Sequence, residues 1–205
     1  MPQNRAGVVE VSPRVSATKK IGIYGGTFDP IHHGHLILAR EALERVGLEK
    51  VIFVPAAVSP FKEVPAAGAG LRLAMLRVAI DGEAAFEIDD CELRRPPPSY
   101  TIETIREIRR RESQSDLYYL IGADNLPTLP RWHDFAELEK LVHFLILERR
   151  GNQSNHSYQS VRREIDFSAT EIRKRVASGQ SIRYFVPAGV EEIIEQENLY
   201  RGQVK

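Results

Sequence analysis

A chain of 205 residues, 42% hydrophobic and 27% charged, has the composition of an ordinary globular protein and excludes a disordered or fibrous one. Lys plus Arg and Asp plus Glu both number 28, so no overall field draws the chain to nucleic acid or to a membrane surface, and any anion site has to be local. Cys91 stands alone and cannot form an internal disulfide, and no apolar run approaches the roughly 20 residues of a membrane span.

Residues 1–19 have the Pro, Asn, Gly and Ser content of a flexible tail and lack the apolar centre of a secretion signal. Lys20–Gly25 is a short apolar run ending in glycines, the pattern of a buried strand. His35–Val46 follows with helical spacing: Leu36, Ala39, Leu43 and Val46 share one face while Arg40, Glu41 and Glu44 look outward, and Gly47 supplies the stop. Val51–Val54 is the next strand. The Ala-, Pro- and Gly-rich stretch Ala56–Gly70 is a surface loop carrying Ser59, Pro60, Phe61 and Lys62.

Helix returns over Leu71–Ile80, then strand over Phe86–Ile88. Pro96–Pro98 ends regular structure before a helix over Thr101–Arg111. Asp116–Ile121 is a strand ending at Gly122, Leu138–Leu141 closes a helix, and His143–Leu147 is a further strand. The last strand is expected over Arg162–Phe167, ahead of helices over Ala169–Ser178 and Ala188–Glu197. Alternating strands and helices predict an α/β fold, a Rossmann-like doubly wound, mainly parallel sheet with helices on both faces. Such sheets bind ligands beyond the carboxyl ends of strands, where chain direction across the sheet reverses. Three sequence regions are expected at such ends: the run IGIYGGTFDPIHHGH, Gly122–Asp124 and Ser168–Arg173.

In the first region, Gly25 and Gly26 let a ligand approach the backbone, and Asp29-Pro30 favours a turn. The helix starting near His33 to His35 would offer amide N–H groups and a positive dipole end to phosphate, with His32 and His35 leaning over it as donors. Two plainer readings compete. A zinc site on His32 and His35 lacks further ligands at metal spacing, and the histidines could instead cap the helix. In the second constellation, Ser168 with Glu171 three residues later reads as a capping box, and Arg173 adds a planar cation suited to phosphate oxygens. Two helix starts would then hold one triphosphate. In the third, Asp124 follows a strand and glycine, where a carboxylate can accept from a ribose hydroxyl. Trp132, beside Arg131 and His133, could platform a flat ring, and Tyr100 and Thr101 open another helix whose amides could receive a small carboxylate.

From about Lys20 to Tyr200 the sequence resembles the bacterial nicotinate-mononucleotide adenylyltransferases of the nucleotidyltransferase superfamily. The resemblance is carried by GGTFDPIHHGH with His32, Gly34 and His35, then SYT at Ser99–Thr101, GADNL at Gly122–Leu126, RWH at Arg131–His133, VP at Val186–Pro187 and LY at Leu199–Tyr200. It departs from the family pattern at Phe61 and at Ala169. The resemblance implies one nucleotidyltransferase domain over 20–205 and adenylyl transfer from ATP to nicotinate mononucleotide, with Mg²⁺ held mainly by substrate phosphates and no protein metal site. It implies catalytic roles for His32, His35 and Arg173. ATP would meet Gly25, Gly26, Thr27, Phe28, Gly34, Gly122, Asp124, Ser168, Thr170 and Arg173; the mononucleotide would meet Lys62, Tyr100, Thr101, Asp124, Trp132 and His133. The same resemblance implies a cytoplasmic enzyme of NAD biosynthesis with no nucleic-acid or membrane partner, a homo-oligomer being left open. A sibling transferase acting on nicotinamide mononucleotide or pantetheine phosphate, and a non-catalytic nucleotide-binding module, are the rival readings.

Overall fold

The computed structural model describes residues 18–57, 65–96, 98–149 and 156–202. Most of the expected tail, and residues 58–64 of the expected loop with Phe61 and Lys62 among them, lie outside these residues. Strands covered on both faces must be apolar at consecutive positions. That is the pattern of β1 (Lys20–Gly26), β2 (Lys50–Pro55), β4 (Asp116–Gly122) and β5 (His143–Glu148). With the short β3 (Phe86–Ile88) and β6 (Gln159–Arg162) they form a parallel sheet in the order β3-β2-β1-β4-β5-β6.

Alternation along each strand divides the core in two. Tyr24, Val51, Phe53, Leu120, Leu145 and Leu147 face α1 (His33–Val46), α2 (Ala69–Ile80), α6 (Ala169–Ala177) and α7 (Ala188–Gln196). Ile21, Ile23, Ile52, Val54, Leu117, Tyr119, Ile121, Phe144 and Ile146 face α3 (Cys91–Arg94), α4 (Thr101–Arg111) and α5 (Phe135–Leu141). Three expectations shift. First, the buried stripe of α1 runs through Leu38, Ala39, Ala42 and Val46, and Glu41, expected to face outward, is buried. It is held there by a hydrogen bond from Arg163 and an ion pair with Arg45 at 2.7 Å.

Second, the last strand is not Arg162–Phe167 but Gln159–Arg162. Ile165 N donates to Arg163 O at 3.0 Å, a tight local turn that takes the chain off the sheet edge. Ile165 and Phe167 still pack against the core, so their apolar spacing reports burial without strand pairing. Third, α3 and the 3₁₀ turns Ala123–Asn125 and Leu129–Arg131 were not legible; each is four residues or fewer, too short to show a period. Among the described residues, no helix is long and apolar enough to cross a membrane.

Candidate active site

β1 pairs with β2 on one side and β4 on the other, so strand order reverses between β1 and β4. At their carboxyl ends lie two adjoining hollows that share Gly25, Gly26, Thr27 and Asn125. The larger, about 1640 Å³, brings together Tyr24, Phe28, Asp29, His32, His35, Gly122, Asp124, Arg149, Ser168, Thr170 and Arg173. His35 and Arg173, which are 138 positions apart in the chain, therefore line one space.

The chain leaves β1 through Phe28, which is buried and held at φ 49, and enters α1 at His32. His32 is the N-cap. Its Nδ1 accepts the His35 N–H at 3.3 Å, and the His35 Nδ1 accepts the His32 N–H at 3.3 Å, closing a reciprocal capping box. The two rings stack at 3.7 Å between centroids. A neutral imidazole whose Nδ1 accepts carries its proton on Nε2. The cap thus leaves Nε2–H of His32 as a donor. Burial first, and then the Arg149 charge, hold the His32 pKa down to about 3, so the ring is neutral at pH 7.

The amides of this helix are another matter. His33 N donates to Phe185 O at 3.0 Å, and His35 N is taken by the cap. Two of the first three N–H groups of α1 are thus engaged, which corrects the expectation of an open amide nest there. Gly34 is buried, and a Cβ on it would lie 2.9 Å from the His32 ring. The glycines at the strand ends also serve the protein's own packing. A Cβ at Gly25 would meet Tyr119 Oη at 2.2 Å, at Gly26 the Phe28 ring at 2.8 Å, and at Gly122 Asp124 Oδ1 at 2.3 Å.

The opening of α6 is different. Ser168 Oγ accepts from Glu171 N at 3.3 Å, without the return bond from Glu171 that would complete the expected box. Ala169 and Thr170 line the hollow, and the N–H groups of a helix's first turn have no helical acceptor. Arg173 Nη1 donates to Asp29 O at 2.8 Å and Nη2 to Thr170 Oγ1 at 3.4 Å, so its guanidinium bridges α6 and the opening turn. Arg149 was missed. It lies two residues past Leu147 at the carboxyl end of β5, the same signal that marked the other regions, and it donates to Phe167 O at 3.4 Å.

The smaller hollow, about 750 Å³, is lined by Ser99, Tyr100, Thr101, Trp132 and His133 together with Glu92, Tyr119 and Thr128, which sequence reasoning did not single out. Trp132 meets Tyr119 edge-on at 6.0 Å, leaving its indole half-buried, and Tyr100 stacks on His133 at 4.4 Å. Glu92 accepts from Thr104 Oγ1 at 2.8 Å, and burial raises its pKa. Ser99 Oγ is buried without a hydrogen-bond partner. Among the described residues no group of three or more His, Cys, Asp or Glu side chains could hold a metal. Both Asp29 oxygens are occupied by Ala66 N, Ala67 N and Tyr200 Oη.

The arginines that could suggest nucleic acid are mostly turned to this chain's own groups: Arg94 to Asp90, Arg95 to Thr104, Arg109 to Leu141 O and Arg111 to Asp89.

The sequence profile of the cytidylyltransferase-like family matches residues 23–175. A relative from Methylacidiphilum infernorum, described as a probable nicotinate-nucleotide adenylyltransferase, is 39% identical over 88% of this chain and 92% of its own length. Another with the same description, from Geobacillus thermodenitrificans, is 42% identical over 88% of this chain and 86% of its own. The Plasmodium falciparum nicotinic acid mononucleotide adenylyltransferase, solved with NaAD, superposes with a TM-score of 0.74 over 89% of this chain and 97% of its own; at 19% identity that likeness speaks for the fold. The chain belongs to the cytidylyltransferase-like family of nucleotidyltransferases, among its nicotinate-nucleotide adenylyltransferases.

Proposed function

We propose that the chain transfers the adenylyl group of ATP to nicotinate mononucleotide, giving deamido-NAD and pyrophosphate, in a cytoplasmic step of NAD biosynthesis. The observation that carries this reading is the pairing of the two hollows. One is lined by imidazoles, arginines and a helix opening, the other by aromatic rings, and they meet along Gly25–Thr27 and Asn125. A phosphorus atom at that seam can receive a nucleophile from one side and lose its leaving group on the other.

The mononucleotide's phosphate oxygen attacks the α-phosphorus of ATP in line, the bond to the β-phosphate oxygen breaks, and pyrophosphate leaves with that electron pair. The attacking phosphate is already ionised, so the protein positions groups and stabilises charge without a covalent intermediate. His32 and His35 give Nε2–H donors to the α-phosphate oxygens as charge builds there. Arg173, Arg149 and the Ala169 and Thr170 amides hold the leaving phosphates. Asp124 receives the ribose hydroxyls. Trp132 stacks on the pyridine ring, and the Tyr100–Thr101 opening of α4 receives its carboxylate. Magnesium suits this donor set: with Asp29 saturated and no carboxylate cluster among the described residues, it would be bound by triphosphate oxygens and water, and would neutralise phosphate charge.

Pyrophosphate release from ATP, measured in parallel with nicotinate mononucleotide, its amide analogue and pantetheine phosphate, tests the acceptor. The acid mononucleotide should be used best; preference for pantetheine phosphate overturns the assignment. His35→Ala should lower turnover about a hundredfold to a thousandfold, the usual effect of removing one preorganised donor. Turnover near wild type would remove His35 from the mechanism.

A further inference from the structure

Behind the phosphate hollow, one buried carboxylate joins the opening turn to the far end of the described chain. Asp29 is 5% exposed and Tyr200 4%. Tyr200 Oη donates to Asp29 Oδ1 at 2.7 Å across 171 positions of sequence. The same carboxylate accepts Ala67 N on Oδ1 at 3.1 Å and Ala66 N on Oδ2 at 2.7 Å. The Asp29 main-chain oxygen accepts Arg173 Nη1 at 2.8 Å, and Thr27 O, two residues earlier, accepts Nη1 of the buried Arg72 at 2.7 Å. Thr27, Asp29, Ala66 and Arg173 all line the phosphate hollow; Tyr200 does not.

We infer that Tyr200, acting through Asp29, is a positioning residue for the triphosphate site: its hydroxyl fixes the carboxylate whose residue holds Arg173 against the opening turn. The inference rests on the reading that the hollow takes the phosphates of ATP. A buried carboxylate that loses one of its donors is left under-satisfied and turns toward the remaining ones or toward water. Turning Asp29 shifts its own carbonyl, and with it the anchor of the Arg173 guanidinium. The Tyr200 ring lies in the sheet's larger core cluster, so its packing and its hydroxyl can be separated by Tyr200→Phe.

The test is the affinity of an α,β-methylene analogue of ATP, measured by calorimetry on the full chain, beside the KM for each substrate and the thermal midpoint. Tyr200→Phe should weaken the analogue by about three- to tenfold, less than the full worth of one hydrogen bond to a charged group because the effect reaches the ligand only through Asp29 and Arg173, while the KM for the mononucleotide stays within about twofold. Asp29→Asn should act in the same direction and more strongly. Unchanged analogue affinity, with or without a lower thermal midpoint, reduces Tyr200 to an anchor of the chain end and overturns the inference. Equal weakening of both substrates overturns it too, because that marks general loosening. A wild-type protein that does not bind the analogue would instead refute the ATP reading itself.

Discussion

His32 serves two ends because an imidazole has two nitrogens. Nδ1 closes the helix cap, and the neutral ring that results keeps its proton on Nε2. Capping and phosphate contact, which looked like rival readings of HHGH, are therefore compatible on one side chain. The histidines themselves were plain in the sequence; which nitrogen each would spend on the backbone was not, because that depends on φ and ψ at the cap. The cost appears in acid. Folded His32 titrates near pH 3, well below the 6.5 of an unperturbed histidine, because burial opposes its charge. The unfolded chain then binds a proton that the folded one refuses, so this contribution is fully present above pH 6.5 and is lost as pH falls towards 3. Urea midpoints measured from pH 7 down to about 4 should fall more steeply for wild type than for His32→Gln. Parallel curves would show that His32 does not titrate as described.

At the scale of elements, two helix openings behave differently despite similar caps. The first turn of α1 spends the His33 and His35 amides on Phe185 O and on its own cap and presents imidazoles; α6 brings Ala169 and Thr170 of its first turn to the hollow. A second element-scale relation joins β1 to β4. Ile23 pairs with Tyr119, which places the Tyr119 ring on the face that Gly25 leaves bare. Gly25→Ala would put a Cβ 2.2 Å from Tyr119 Oη. The expected loss is about 1–3 kcal/mol, as for other overpacked cores, and Tyr119→Phe in the same chain should recover part of it. Unfolding free energies of the two single variants and the double variant test this; strictly additive losses would mean the two positions do not meet. Boundaries of long elements were legible because caps and stops are local: Gly47 at φ 69 ends α1 as its position in the sequence suggests. The end of β6 was not, because apolar spacing cannot tell a paired strand from an extended segment that is merely buried.

At the scale of the molecule, charge cancels and packing divides. With 28 residues of each sign, no net charge draws phosphate to the molecule, and the arginines lining the hollow are Arg149 and Arg173, beside the carboxylates of Asp29 and Asp124. Stability is lodged outside its lining: Val190 and Ile194 of α7 are 0% and 2% exposed within the larger core cluster. Ile194→Ala should cost about 2–5 kcal/mol of unfolding free energy and leave the KM values near wild type well below the melting temperature. Altered KM at low temperature would show that α7 is coupled to the site beyond its packing. Taken alone, the sequence determined the alternation of strands and helices, most of their limits, and three regions bearing histidine, serine with arginine, and tryptophan. These are local properties, set by neighbours within a few positions. Only the tertiary structure decided that Arg149 stands beside His32, that Tyr119 fills the space at Gly25, and that Tyr200 reaches Asp29. Such partners lie far apart in the chain and are brought together by strand order and core packing, which no local periodicity encodes.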